Sequence, residues 1–502
     1  MYNAAADLID RHAEAGRGGK VAYVDPYRQL TYAELKERTD RLANGLRDLG
    51  LHREQRVVLI LLDTVDFPVA FWATIKAGMV AVPLNTLLTT DQWRYQVEDS
   101  RAAAVIISAE LIDRAGPMLD SLKATRPLIV LGTGDLAGIE ARANPDCIPA
   151  ATHEDEVAFW LYTSGSTGQP KAARHLHASP AATAQSFGQG ILGITPDDVV
   201  YSAAKLFFAY GLGNGMSFPL SVGATTVLFS DRPTPDTVLA TMQAHHPTIF
   251  CGVPTLYAAM LASPKLVRGL GSNRLRMCIS AGEALPADIG LRWRDAVGLD
   301  ILDGIGSTEM LHMFVSNRAG DIRYGSSGKP VPGYQARIVT EQGEATPVGE
   351  IGELMVKGPS AAEGYWNQRD RSRKTFVGEW TMTGDKYRID EDGYYHYCGR
   401  TDDMFKVGGI WVSPFEVESA LISHPAVLES AVVGHPDLDQ LIKPKAFVVL
   451  KPGFDLDDRL ADELRAHVKA VAGPWKYPRW IDAVADLPKT ATGKIQRFKL
   501  RS

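Results

Sequence analysis

Cysteine is scarce in this chain: Cys147, Cys251, Cys278 and Cys398 are the only four among 502 residues, and no two have C-x-x-C spacing. A disulfide framework or a structural zinc site calls for closely spaced pairs, so neither is expected. A reducing compartment fits, and the cytoplasm is the expected location. Long apolar runs are missing too. None reaches the roughly 18 residues of a membrane span. The opening stretch "MYNAAADLIDRHAEAGRGGK" has no apolar core of signal-peptide length. Basic excess is absent, with a formal net charge of -6. Proteins that hold nucleic acid usually carry a basic face, so nucleic acid is not an expected partner. No low-complexity tract or solenoid-length repeat is visible.

What is present is ordinary for a globular protein: 45% hydrophobic and 22% charged residues. At 502 residues the chain is too long for one core, and two or more domains are expected. "TYAELKERTDRLANGLRDLG" reads as a helix, with Thr31 and Glu34 at capping-box spacing and Gly50 as its stop. "RVVLILLD" is a short apolar run, as in a buried parallel strand. "FPVAFWATIKAG" then reads as a helix. The same rhythm returns at "AAAVIISA", "PLIVLG", "VAFWLYTS", "ATTVLF", "PTIFCGVP", "RMCISAG" and "DILDG". Such alternation predicts an α/β fold with helices on largely parallel sheets. Ligands in such folds sit beyond the carboxyl ends of strands. From about residue 320 to 400, Gly-Pro turns and alternating strands predict a smaller antiparallel subdomain. A domain boundary is expected at Asp402, dividing residues 1–401 from 402–502.

The stretch "YTSGSTGQPK" (162–171) has the composition of a phosphate cradle. Thr163, Ser164, Ser166 and Thr167 supply hydroxyls, Gly165 and Gly168 let the backbone approach a ligand, and Lys171 adds a cation. A Walker A loop needs Gly-Lys-Ser/Thr, whereas here Pro170 precedes Lys171 and Ala172 follows it. A P-loop kinase is therefore disfavoured. On its own the loop also reads as a plain Ser/Gly turn.

"YTSGSTGQPKAARH" resembles the signature loop of the adenylate-forming enzymes, which include acyl- and aryl-CoA ligases, luciferases and peptide-synthetase adenylation domains. "SAGEALP", "DGIGSTEM", "TGD", "YCGRTDDMFKVGG" and "PKTATGKIQR" follow in the order expected of that family. The resemblance covers essentially the whole chain. Within the family, "KLFFAYGLGN" and "HPAVLESAVVGHPD" are similar to the benzoate-CoA ligases. The resemblance implies a large N-terminal domain with a small β-barrel-like subdomain, then a small mobile α+β C-terminal domain. It implies a two-step reaction. A carboxylate attacks the α-phosphorus of ATP, giving an acyl-adenylate and pyrophosphate, and a thiol then displaces AMP.

The roles that follow are those the resemblance implies. The loop 163–171 holds the β- and γ-phosphates. Thr308 touches the α-phosphate, and Glu309 helps hold Mg²⁺, a hard cation that prefers oxygen ligands. Gly282, Glu283 and Ala284, with Asp303, Gly304 and Ile305, line the adenine. Asp385 binds the ribose hydroxyls, and Arg400 adds a ribose or phosphate contact. Lys494 bridges the acid and ATP during acid activation only. Rotation about the hinge Asp402 then withdraws Lys494 and brings Gly408 and Gly409 in to line the pantetheine tunnel.

For the acid, amino-acid-activating relatives place an Asp within the segment matching "AAKLFFAYGLG", and none stands here. Phe208 and Tyr210 instead offer an aromatic slot suited to a flat aryl acid, with Gly211 leaving room. Phe207 reads as core. Many relatives carry a His where Phe208 aligns. Gly252, Val253, Ala281 and Gly306 are further wall candidates, and His312 is a candidate partner for a ring substituent or else a structural histidine. The expected thiol is coenzyme A, because the chain ends eight residues after Lys494 with no fused carrier domain. Lys476 and Arg479, with Lys443 and Lys445, are candidates for its phosphates or else solvated surface charges. The expectation is an aryl-acid:CoA ligase acting as monomer or homodimer on a small aryl carboxylic acid, ATP and CoA. The alternatives are loading of a separate carrier-protein thiol, a medium-chain acyl-CoA ligase, or a non-catalytic nucleotide or acyl sensor.

Overall fold

In the computed structural model of the chain, Thr31 caps the helix Tyr32–Asp48 with both halves of the capping box. The Glu34 amide donates to Thr31 Oγ1 at 3.2 Å, and the Thr31 amide donates to Glu34 Oε2 at 2.7 Å. Gly50 follows with φ of 83°, a left-handed turn that stops the helix. The structure describes residues 1–163, 170–401, 403–407, 410–438, 441–489 and 495–501, with backbone only at 410–411.

The apolar runs form two sheets with parallel centres. One has seven strands, in the order 364–365, 171–176, 157–163, 80–83, 56–60, 104–107 and 129–132. Only the pairings of 171–176 with its two neighbours are antiparallel. The other has nine strands, with 277–280 between 249–252 and 301–306, all parallel. The strands Val80–Pro83 and Ala104–Ile107 are buried at every position, as buried parallel strands require. The helix Asp66–Lys76 is buried on all sides, and even Lys76 is fully enclosed, ion-paired to Asp10 and Asp40.

A five-stranded antiparallel sheet spans residues 335–400. Beyond it, the strands Val427–Pro436, Ile442–Leu450 and Trp480–Ala483 form a small sheet covered by the helices Pro414–Ile422 and Asp458–Ala472. This C-terminal part is α+β and has its own core, built from Val417, Leu421, Val432, Val448, Leu464 and Val468 among others. No helix among the described residues is long and apolar enough to cross a membrane.

Three neighbouring strands of the larger sheet are stapled at their amino ends. Asp198 accepts from Arg276 Nε and Nη2 at 2.8 Å each, from the Thr248 hydroxyl at 2.6 Å and from the Thr195 amide at 2.8 Å. Burial alone would push this carboxyl up, but these donors overcome it and hold it at about 2 against an ordinary 3.8. A depressed acid stabilises the fold above its unfolded pKa and ceases to do so as pH falls through its folded one. The shift corresponds to about 2 kcal/mol. Asp198→Asn should therefore be destabilised near neutrality, with the gap closing as pH falls through about 2. Denaturant unfolding of both proteins as a function of pH measures this. The staple lies opposite the carboxyl ends, where the predicted site residues cluster.

Candidate active site

Thr163 and Lys171 face each other across an antiparallel hairpin in the seven-stranded sheet. Ser164, Gly165, Ser166, Thr167 and Gly168 lie outside the described residues. Lys171 Nζ donates to the Tyr365 hydroxyl at 2.6 Å, which in turn donates to Glu309 Oε1 at 2.6 Å. Nζ is also 3.2 Å from Glu309 Oε1 directly. Burial disfavours the Glu309 carboxylate, but the Lys171 ammonium and the Tyr365 hydroxyl outweigh it and hold Glu309 below the usual glutamate value. An ionised, mostly buried carboxylate of this kind is a fitting oxygen ligand for a hard divalent cation.

Thr308 and Glu309 sit in the reversal between the antiparallel strands Ile301–Gly306 and Met313–Ser316. The returning chain passes so close that a Cβ on Gly306 would lie 2.6 Å from the His312 carbonyl oxygen, so only glycine fits there. The Thr308 carbonyl accepts from His175 Nε2 at 2.8 Å, which places the ring proton on Nε2. Burial pushes His175 down to about 4, so the ring is neutral at working pH.

The predicted adenine segments meet one another. Gly282, Glu283 and Ala284 form the bend between the strand Met277–Ser280 and the helix Ala287–Val297. From the end of that bend the Leu285 amide donates to Asp303 Oδ2 at 3.3 Å. Gly304 and Ile305 continue the Asp303 strand. Burial pushes the Asp303 carboxyl up to about 8. The Ser280 hydroxyl, on the register partner of Asp303, and the Leu285 amide offset that rise only in part. A carboxyl and a hydroxyl side by side at adjacent strand ends suit the polar edge of a base. Asp385 and Arg400 are register partners on neighbouring strands, joined at 2.9 Å, and Arg400 Nη1 also donates to the Thr383 carbonyl at 3.1 Å.

The predicted acid wall uses the same strand ends. The Tyr210 hydroxyl is shared between the carbonyls of Gly252 and Ile279, each at 3.2 Å. Val253 and Ala281 directly follow Gly252 and Ser280. The backbone at Gly211 runs against the Lys205 carbonyl, where a Cβ would lie 2.0 Å from the oxygen. His312 is 3% exposed and enclosed by the rings of Phe187, Tyr210 and Phe218, with centroids at 4.9, 5.5 and 4.6 Å. Burial holds it down at about 3, only partly offset by a hydrogen bond to the Tyr210 backbone. Phe207 is core, and Phe208 packs edge-on against it with ring centroids 4.5 Å apart.

The family model of the AMP-binding enzymes matches residues 9–366, and that of the AMP-binding enzyme C-terminal domain matches 416–494. The chain belongs to the AMP-binding enzyme family. It is 55% identical to the benzoate–CoA ligase of Thauera aromatica, over 100% of this chain and 96% of that protein. The solved structure of a benzoate CoA ligase from Burkholderia xenovorans LB400 superposes with a TM-score of 0.94 at 50% identity, covering 100% of both chains. An anthranilate CoA ligase in complex with anthranoyl-AMP also superposes at 0.94, with 42% identity, over 99% of this chain and 96% of that one.

In this AMP-binding enzyme, Lys494, the hinge candidate Asp402 and the tunnel candidates Gly408 and Gly409 lie outside the described residues. Lys476 is ion-paired to Glu416 at 2.5 Å, and the Arg479 guanidinium lies over the Tyr477 ring at 3.6 Å. Lys443 and Lys445 pair with Asp437 and Asp482 at 3.9 and 2.9 Å. Sequence reasoning missed Tyr365 and His175. His175 had a usable signal: it stands four residues after Lys171 on one strand, so both side chains leave the same face. Both then reach the turn that carries Thr308 and Glu309. Tyr365 had none, because its strand joins the sheet from far along the chain.

Proposed function

We propose that the chain is an ATP-dependent aryl-acid:CoA ligase of the benzoate type. The observation that carries this reading is the shared set of strand ends. The rings of Tyr210 and His312, with centroids 5.5 Å apart, adjoin Asp303 and the Thr308–Glu309 turn, so an aryl carboxylate seated there would face the nucleotide; Phe208 is assigned to the same wall. The relatives named as benzoate and anthranilate ligases support the same reading.

In the first step an acid oxygen attacks the α-phosphorus, and the bond from phosphorus to the pyrophosphate oxygen breaks. The enzyme's part is to position reactants and neutralise charge. Thr163 and Lys171, with the intervening loop, bind the outer phosphates, and Thr308 orients the α-phosphate. Glu309 would hold Mg²⁺, which when bound neutralises phosphate charge. Gly282, Glu283, Ala284, Asp303, Gly304 and Ile305 enclose the base, and Asp385 with Arg400 takes the ribose. Lys494 is assigned to the attacking carboxylate. In the second step the CoA sulfur attacks the acyl carbon and AMP leaves. Gly408 and Gly409 are assigned to the thiol tunnel, and Lys476 and Arg479 to the CoA phosphates. His312, beside the Tyr210 ring, is assigned to a hydroxyl or amino group on the aryl ring. Free cysteines at all four positions agree with a cytoplasmic enzyme.

The alternation between steps is assigned to Asp402. Proline there would fix φ near about −65° and restrict rotation. Asp402→Pro is expected to slow thioester formation from supplied acyl-adenylate more than it slows acid activation. Unchanged thioester formation would refute the hinge.

The test of the function is AMP release from ATP and Mg²⁺ with benzoate, hydroxybenzoates, anthranilate, a cinnamate and a medium-chain fatty acid, each with and without CoA. CoA-dependent turnover confined to the benzoates is expected. Pyrophosphate release that CoA does not stimulate would point to a carrier-protein thiol. Preference for the fatty acid would refute the aryl slot.

A further inference from the structure

Three residues beyond Lys494, the guanidinium of Arg497 is only 19% exposed and spans two carboxylates. Nε donates to Glu418 Oε1 at 3.0 Å and Nη2 donates to Glu418 Oε2 at 2.8 Å, a two-pronged pairing. The third nitrogen, Nη1, lies 3.5 Å from Asp403 Oδ2. Neither carboxylate is a loose surface group. Glu418 is 4% exposed within the helix Pro414–Ile422, and its Oε1 also accepts from the Val432 amide at 2.8 Å. Asp403 is the residue directly after the assigned hinge, and it also pairs with Arg501.

The chain just before Arg497 is tied as well. The Gln496 amide donates to the Pro488 carbonyl at 2.7 Å, and Lys489 bridges Ile495 in antiparallel fashion. Lys489 Nζ is in turn ion-paired to Glu429 at 2.6 Å. Residues 490–494 are thus flanked by a closed stem. One end of that stem is fastened by Arg497 both to the C-terminal core and to the first residue past the hinge.

We propose that Arg497 is a positioning residue for acid activation: by clamping Glu418 and Asp403 it sets where the segment bearing Lys494 is delivered. This rests on the role assigned to Lys494 above. A guanidinium suits the task because its planar fork engages one carboxylate with two prongs and leaves a third donor for the other, which an ammonium cannot do. Glu418 and Asp403 both lie past the hinge, so the clamp moves as one piece with the C-terminal part. It transmits the hinge setting to the lysine segment without touching substrate.

The experiment uses the full chain and measures two half-reactions. Benzoate-dependent pyrophosphate exchange reads acid activation, and thioester formation from supplied benzoyl-AMP and CoA reads the second step. Arg497→Gln is expected to lower kcat for exchange about 10- to 100-fold, the scale of an ångström-level misplacement, with KM values little changed. Thioester formation should stay within about threefold. Arg497→Lys should not restore exchange. Combining Arg497→Gln with Lys494→Ala should cost no more than Lys494→Ala alone, because the two act through one group.

Glu418→Gln is the milder variant and decides the matter if Arg497→Gln does not fold. It keeps an acceptor for the Val432 amide and removes the charge, and should lower exchange selectively but less. Equal losses in both half-reactions, additive losses in the double variant, or rescue by Arg497→Lys would each overturn the proposal while leaving Lys494 in its role. Full exchange in Lys494→Ala would overturn that role, and the clamp with it.

Discussion

Lys494→Ala is expected to slow benzoate-dependent pyrophosphate exchange about 10²–10³-fold, the scale of losing a preorganised charge-stabilising donor. Thioester formation from supplied benzoyl-AMP is expected to stay nearly intact. The asymmetry follows from charge. In the first step an anionic carboxylate must approach an anionic triphosphate, and a cation between them offsets the repulsion. In the second step a thiol meets the carbonyl of a mixed anhydride, and that repulsion is absent. The other cations assigned to the nucleotide are already committed. Lys171 is held by Tyr365 and Glu309, and Arg400 by Asp385 and the Thr383 carbonyl. Neither is free to substitute for Lys494. Equal losses in the two half-reactions would refute the assignment.

The strands and the capped helix were legible because their signals are local. A buried parallel strand shows as a short apolar run, and Thr31 with Glu34 shows as a spacing of three. The resemblance of six motifs supplied more candidate nucleotide residues than any single loop. The structure then brings Lys171 to Glu309 and Leu285 to Asp303. Other features were not legible because they depend on partners distant in sequence. Tyr365 enters between Lys171 and Glu309 only because the strand Gly364–Tyr365 adds to the edge of the first sheet. The raised Asp303 carboxyl and the lowered His312 ring are consequences of burial, which residue type alone does not reveal. The place of Arg497 between two carboxylates shows only in the packing.

Glu309→Gln should likewise cost acid activation about 10²–10³-fold, through lost charge rather than lost structure. Glutamine matches glutamate in size and still offers an oxygen to the Tyr365 hydroxyl, so the 2.6 Å hydrogen bond has a replacement. The negative charge has none. Two results should follow together: a higher Mg²⁺ concentration for half-maximal exchange, and a lower maximal rate. Thioester formation from supplied benzoyl-AMP should be spared, since pyrophosphate has already left by then. The pH dependence separates this reading from a general-base role. Glu309 is held below the usual glutamate value, so it is ionised throughout the neutral range and its protonation governs rate only at acid pH. Glu309→Gln should therefore lower the exchange rate by a constant factor across neutral pH. A pH profile that loses a limb near neutrality would mean that Glu309 moves a proton instead of holding a cation. An unchanged Mg²⁺ requirement would mean that the carboxylate serves only to hold Lys171 and Tyr365 in place.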